Sequence, residues 1–161
     1  MPSDPESNPA IQKLRQFAPD AVEDVSTFRD EISVHIRAIQ LRHICEFLRD
    51  EPGVAFKYLS DITAVDHYPA EPRFETICHI LSIDTNQRLR LKVRIPGEDP
   101  RVDSMVPVWP SAQAFECEIF DLFGIQFTGH PDLRRILLPE DWEGHPLRKD
   151  YPVQGSITRW P

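Results

Sequence analysis

Residues 73–95 read RFETICHILSIDTNQRLRLKVRI. In the second half, Leu89, Leu91, Val93 and Ile95 alternate without a break with Arg88, Arg90, Lys92 and Arg94, the period of a strand with one apolar and one charged face. Arg73 to Ile83 carries the matching strand signal, and Asp84-Thr85-Asn86-Gln87 supplies turn residues between the two. The segment is predicted to be a β-hairpin with one wet, basic face. That face is expected to be a solvated sheet surface whose charges discourage edge pairing, with a docking face for an acidic ligand as the alternative.

Outward from the hairpin, the order of the other elements follows. Ile32, Val34 and Ile36 alternate with Ser33, His35 and Arg37, and Val22 to Phe28 is placed to pair with that strand through a turn near Arg29-Asp30. Asn8-Pro9 opens a short helix, with Asn as cap and Ile11, Leu14 and Phe17 on one face. Leu41, Ile44, Cys45 and Leu48 mark a second helix that Pro52-Gly53 ends, after which Val54 to Val65 reads as extended. The expected fold class is α+β: a two-layer α-β-β-α-β-β-β domain with an open mixed sheet covered on one side by two helices. A short helix and an extended C-terminal tail follow it.

With 161 residues, the chain is long enough for one core that needs neither metal nor disulfide. Its 18 basic and 26 acidic side chains give a net charge of −8, against any reader of a phosphate backbone, so no nucleic-acid partner is expected. No apolar run reaches the ~20 residues of a membrane span. Met1 to Pro9 is acidic and proline-rich, expected to be neither a secretory signal nor a presequence. Cys45, Cys78 and Cys117 are odd in number and widely spaced, which suggests no disulfide framework, zinc site or iron–sulfur site and a reducing compartment.

From Pro96 onward, nine prolines and five glycines fall in 66 residues, incompatible with continuous helix or central strand. Residues 128–161 balance five basic against five acidic side chains, so the negative charge lies before them. The expected division is an α/β domain over 1–110, a helix and connector over 111–127, and a partner-binding tail over 128–161.

Ser111 to Phe123 should form the connecting helix, capped by Ser111 and ended by Gly124. At about 100° per residue, Ala112, Phe115, Ile119, Leu122 and Phe123 make an apolar arc with Glu116 on its margin, while Glu118 and Asp121 point elsewhere. Glu116 should then find an arginine or a backbone donor, or border a partner. Glu118 and Asp121 lie three apart on one face, the spacing of an acid–base pair or of an ordinary solvated face. Beyond the helix, Gly129-His130-Pro131 and Gly144-His145-Pro146 each run into a basic pair. Proline after each histidine favours turns over metal ligation. Arg134, Arg135, Arg148 and Lys149 stand among Ile136, Leu137, Leu138, Trp142 and Trp160, a strip expected to lie along another surface, its own domain's or another chain's.

Residues 116–138, ECEIFDLFGIQFTGHPDLRRILL, and 139–152, PEDWEGHPLRKDYP, closely resemble the C-type subunit family of proton-translocating NADH:quinone oxidoreductase, respiratory complex I. The family pattern opens Glu-Arg-Glu, and here Cys117 replaces the arginine, so no role for an arginine carries over to that position. The resemblance implies a non-catalytic peripheral-arm subunit without a cofactor of its own, on the cytoplasmic side of the bacterial inner membrane. FMN and iron–sulfur clusters would belong to partner subunits, and the tail would run across the D-type family member that helps form the quinone pocket. The interface residues expected on this basis are Glu116, Asp121, His130, Arg134, Arg135, Trp142, His145, Arg148, Lys149 and Tyr151. Two alternatives remain open: the equivalent subunit of a membrane-bound hydrogenase or another quinone- or ferredoxin-linked complex, and a small hydrolase built on Glu118 and Asp121.

Overall fold

A computed structural model of the chain describes residues 5–153. Trp160 lies outside them. The first helix, α1 (Pro9–Phe17), begins where Asn8 Oδ1 accepts the Ala10 N–H at 2.8 Å, and it buries Ala10, Ile11 and Leu14. Strands β1 (Val22–Phe28) and β2 (Glu31–Ile36) pair antiparallel around Arg29 and Asp30, both at positive φ, the geometry of a tight hairpin turn. Helix α2 (Leu41–Asp50) buries the four residues its spacing selected. Phe17 of α1 stacks on Phe47 of α2 with ring centroids 4.0 Å apart.

Strand β3 (Tyr58–Asp66) starts later than the sequence suggested. Val54 and Ala55 fold back so that both N–H groups bond to Glu51 O, and only then does the chain extend. Strands β4 (Phe74–Ser82) and β5 (Gln87–Ile95) form the expected hairpin in the register Phe74↔Ile95 to Ser82↔Gln87. The sheet order is β1-β2-β5-β4-β3, with β2 and β5 parallel and the other pairs antiparallel. Val34, Leu91, Cys78 and Ile62 fall in one row on the apolar face, within a single hydrophobic core. Burial in that core pushes the Cys78 thiol up to about 12.

The charged face of the hairpin is less wet than its alternation implied. Arg88 is exposed, but Arg90 pairs with Glu31. Arg94 Nε and Lys92 Nζ lie 3.1 and 3.9 Å from the Glu75 carboxylate, which is 3% exposed and also faces His67 and His35. A carboxylate at the centre of the row draws the cations inward.

Two features were absent from the expected order. Strand β6 (Arg101–Asp103) pairs in parallel with β7 (Gln126–Thr128). Between them, helix α3 (Ala112–Phe123) packs on β3, and its Ala112, Ile119 and Phe123 join the main core. A third helix therefore shares the layer assigned to two. Ser111 does not cap α3: it has helical φ and ψ and makes no capping bond, because the chain already turns through Met105–Trp109 and Ala112 N bonds to Trp109 O. Gly124 ends the helix at φ +74° as expected.

Candidate functional site

The last turn of an α-helix leaves carbonyls without intrahelical partners. In α3 the segment after Gly129 supplies the missing donors. His145 Nδ1 and Arg135 Nη1 donate to Asp121 O at 2.9 and 3.0 Å, Leu147 N to Leu122 O at 3.1 Å, and Arg148 Nε to Phe123 O at 2.6 Å. Two of these donors are guanidinium groups at the negative end of the helix dipole, each worth about 0.3–2 kcal/mol there. Gly124 permits the approach: a Cβ on it would lie 2.5 Å from the His145 ring and 2.6 Å from the Arg148 guanidinium.

Asp121 holds the same segment from its side chain. Its Oδ1 accepts from Arg135 Nη1 at 2.7 Å, and its Oδ2 accepts the N–H groups of Ile136, Leu137 and Leu138 at 2.8–3.0 Å. Burial pushes this carboxyl up, but the three backbone donors and Arg135 outweigh it and hold the group below the usual carboxylate range. The wheel set Asp121 apart from the core, yet it is fully buried because the tail covers the helix opposite the sheet. Glu118 stays exposed, so the two carboxylates of the acid–base alternative share no pocket. Arg135 Nη2 continues to the carbonyls of Trp142 and Gly144 at 3.0 and 2.9 Å, which folds the tail into a loop around one guanidinium.

A second fastening joins the tail to the sheet. Arg73 binds Asp66 at the end of β3 in a bidentate fork, Nε to Oδ1 at 2.9 Å and Nη2 to Oδ2 at 2.8 Å, and reaches Asp150 with Nη1 and Nη2. Asp66 also accepts the N–H groups of Tyr68 and Lys149. Burial raises its carboxyl, but the Arg73 fork and those two N–H groups prevail and hold it far below the ordinary range. The Arg73 and Arg148 guanidinium carbons lie 4.9 and 5.2 Å from the centre of the Phe74 ring.

Glu116 does find a backbone donor. Fully buried on α3, it accepts Met105 N–H at 2.5 Å and the Ser104 hydroxyl at 2.6 Å, fixing the turn before the helix. Burial raises its carboxyl, and these two bonds oppose the rise without cancelling it. His130 receives Asp132 N–H on Nδ1 at 3.0 Å, so Nε2 carries the proton and donates to Gln113 O at 3.1 Å. Cys117 Sγ lies 3.4 Å from Asp132 O, a thiol filling the space under that turn.

The expected interface residues therefore divide. Glu116, Asp121, Arg135, His145 and Arg148 are joined to their own chain by the contacts above. Arg134 is exposed and pairs with Asp132 at 2.9 Å, and the Lys149 side chain is exposed although its N–H is held by Asp66. Trp142 is half-buried, and Tyr151 lies against Gly144 with its hydroxyl 3.4 Å from Glu143 O. The sequence reading missed Asp66, Arg73, Asp150 and Ser104. Asp66, Arg73 and Ser104 gave no signal beyond polarity at the ends of apolar runs, which any solvated residue shares, and Asp150 gave none beyond its place in the 139–152 stretch. Among the described residues no His, Cys, Asp and Glu side chains gather three together as a metal site, and no helix is long and apolar enough to cross a membrane.

The family model described as respiratory-chain NADH dehydrogenase, 30 Kd subunit, matches residues 34–156. The C-type subunit of NADH-quinone oxidoreductase from Roseiflexus sp. (strain RS-1) is 46% identical over 143 residues, covering 89% of this chain and 82% of its own. Its counterpart from Geobacter sulfurreducens, of the same name, is 44% identical over 151 residues, 93% of this chain and 92% of that one. Among solved structures, a trypsin-resistant fragment (1–134) of Nqo5 superposes with a TM-score of 0.62 at 26% identity, over 76% of this chain and 97% of the fragment. A chain of an archaeal membrane-bound sulfane sulfur reductase shares the fold, with a TM-score of 0.74 at 23% identity over 89% of this chain and 84% of that one. With the family's match running from within β2 through β3–β5, α3 and the tail that caps it, this chain belongs to the 30 kDa, or C-type, subunit family of respiratory-chain NADH dehydrogenase.

Proposed function

We propose that the chain is a non-catalytic peripheral-arm subunit of a proton-translocating NADH:quinone oxidoreductase, serving assembly and packing against the D-type family member of the quinone pocket. It holds no cofactor; FMN and iron–sulfur clusters belong to its partner subunits. It works on the cytoplasmic side of the bacterial inner membrane, attached through those subunits. The observation that carries this reading is the use made of the tail's polar groups. Asp121, Arg135, His145, Arg148 and Asp150 are engaged in fixing the course of residues 132–153 over α3 and the end of β3. A fully buried carboxylate that holds four donors of its own chain, with Glu118 exposed and sharing no pocket with it, is out of reach of a substrate, which disfavours the hydrolase alternative.

The test is gentle purification of the tagged chain from native membranes, with mass spectrometry of what accompanies it and an NADH:quinone assay on the same fraction. Flavin and iron–sulfur subunits together with NADH-dependent quinone reduction are expected, and the chain alone should show none of that activity. Hydrogenase-type partners would move the chain to a related complex. A solitary chain would overturn the subunit reading.

A further inference from the structure

The side chains that the tail turns outward differ from those its arginines suggest. Arg135 and Arg148 face inward, on Asp121 and on Phe123 O, and Arg134 is occupied by Asp132. Outward stand three large aliphatic residues, Ile136, Leu137 and Leu147, which are 43, 59 and 50% exposed. Glu140 and Glu143 are also exposed and make no ion pair among the described residues.

These five residues hang from one anchor. Ile136 and Leu137 donate their N–H groups to Asp121, Leu147 donates to the adjacent Leu122 O, and Arg135 grips the carbonyls on either side of Glu143. The segment from Ile136 to Leu147 is thus gathered over the last turn of α3. Exposed aliphatic side chains held on a rigid support are the signature of a binding surface. Next to them, unpaired carboxylates would repel an acidic partner and an anionic lipid surface alike, and would attract a cationic rim. The exposed cations of this region are Lys149, whose N–H is held at the end of β3, and Arg134, which is paired with Asp132.

Resting on the reading of the chain as a subunit, we infer that Ile136, Leu137 and Leu147 form the apolar centre, and Glu140 and Glu143 the acidic rim, of a surface that docks a protein partner. The partner's seat is apolar and edged by Lys or Arg. The tail's inward-facing arginines shape this surface from behind, and the attraction across the interface has the opposite sign to the one they suggest.

The experiment uses the intact complex in native membranes. A photo-crosslinking phenylalanine placed at position 137 reports what covers the patch, and E140K/E143K reports the sign of the charge, with E98K as a charge reversal at an exposed site outside the tail. The crosslink is expected on a subunit peptide that carries Lys or Arg beside apolar residues. E140K/E143K is expected to lower recovery of the chain with the complex by about tenfold, like charges then facing one another. E98K should leave recovery near wild type. Thermal melting of the isolated variants separates lost docking from lost folding, since a variant that melts like wild type has kept its fold. A crosslink to lipid or to an acidic peptide overturns the inference while the subunit reading stands, as does normal recovery of E140K/E143K. A wild-type chain that brings down no subunit and gives no crosslink overturns both.

Discussion

Arg73 and Asp150 stand 77 positions apart and meet through two hydrogen bonds, Nη1 to Oδ2 at 2.9 Å and Nη2 to Oδ1 at 2.6 Å. The opposite edge of the same guanidinium holds Asp66, so one side chain fastens the end of β3 to the tail. The two acids differ in setting: the Asp66 side chain is 2% exposed and the Asp150 side chain 44%. Arg73→Met strands a buried carboxylate and is expected to cost about 3–5 kcal/mol. Asp150→Ala removes a solvent-screened partner and should cost about 0–1 kcal/mol. Urea midpoints at unchanged slope give both values; equal costs would mean that the Asp66 side of the fork is no stronger than the Asp150 side.

Asp121→Asn should free the tail while leaving the sheet folded. The amide has one acceptor oxygen in place of two and no charge for Arg135, so at least one buried N–H loses its partner, at about 1–3 kcal/mol beyond the lost pair. Limited proteolysis should cut residues 132–150 faster, with the 5–128 body still resistant. Glu118→Gln, three residues away and exposed, is the control, expected within about 0.5 kcal/mol of wild type.

Docking of the tail should weaken with acid in two stages. Burial lowers His145, so as pH falls below about 6.5 a released tail takes up a proton that the docked tail refuses, and stability is lost down through the depressed value. Asp66, Asp121 and Asp150 are held below the usual range, Asp150 chiefly by Arg73. Their contribution is present above about pH 3.9 and is lost as pH falls through their depressed values. Hydrogen exchange of Ile136–Leu138 and Leu147 across pH reads both stages. His145→Asn keeps a donor for Asp121 O and should erase the first stage alone; a variant with both stages intact would assign the first to another group.

Gly124→Ala should loosen the tail more than Gly129→Ala, although both glycines have positive φ. Each substitution carries the left-handed penalty of about 1–2 kcal/mol. Only at Gly124 does the new methyl meet side chains, the His145 ring and the Arg148 guanidinium, whereas nothing lies within 4 Å at Gly129. Thermal melts of the two variants, compared with exchange at Leu147 N–H, check this. Equal effects would leave backbone conformation as the whole cause.

Glu116→Ala is expected to cost about 1–3 kcal/mol by orphaning the buried Met105 N–H. Glu116→Gln keeps one acceptor and removes the burial-raised carboxyl. Its loss should be smaller at pH 7, where the wild-type group bears the desolvation of its charge, than at pH 4, where the wild-type group is protonated.

What could be read from the sequence was the part governed by short periods. The strict alternation of Arg88–Ile95, the Asn8 cap and the Leu41–Leu48 face each depend on neighbours within a few residues, and each formed as expected. The α3 wheel placed Glu116 well, because its burial follows from the sheet side that the apolar arc defines. It misplaced Asp121, whose burial is decided by residues 135–138 folding back over the other side of the helix. Asp66 and Arg73 were invisible for the same reason, since their third partner is Asp150. The β6–β7 pair joins three residues to three across the whole of α3, too short for any period to register. As for the site, sequence resemblance pointed to the tail, while the direction each of its side chains faces was set by contacts of long sequence separation.

The capping of α3 by its own tail also imposes an order of events during synthesis. The helix emerges from the ribosome before the residues that complete its end, so a nascent chain carries bare carbonyls at Asp121, Leu122 and Phe123 until Arg135, His145, Leu147 and Arg148 arrive. A chain stopped anywhere in that interval would keep its sheet and lack the patch built over the last turn. Translation to Arg148 is thus a checkpoint: the surface over the last turn of α3 does not exist until the chain behind it has been read through.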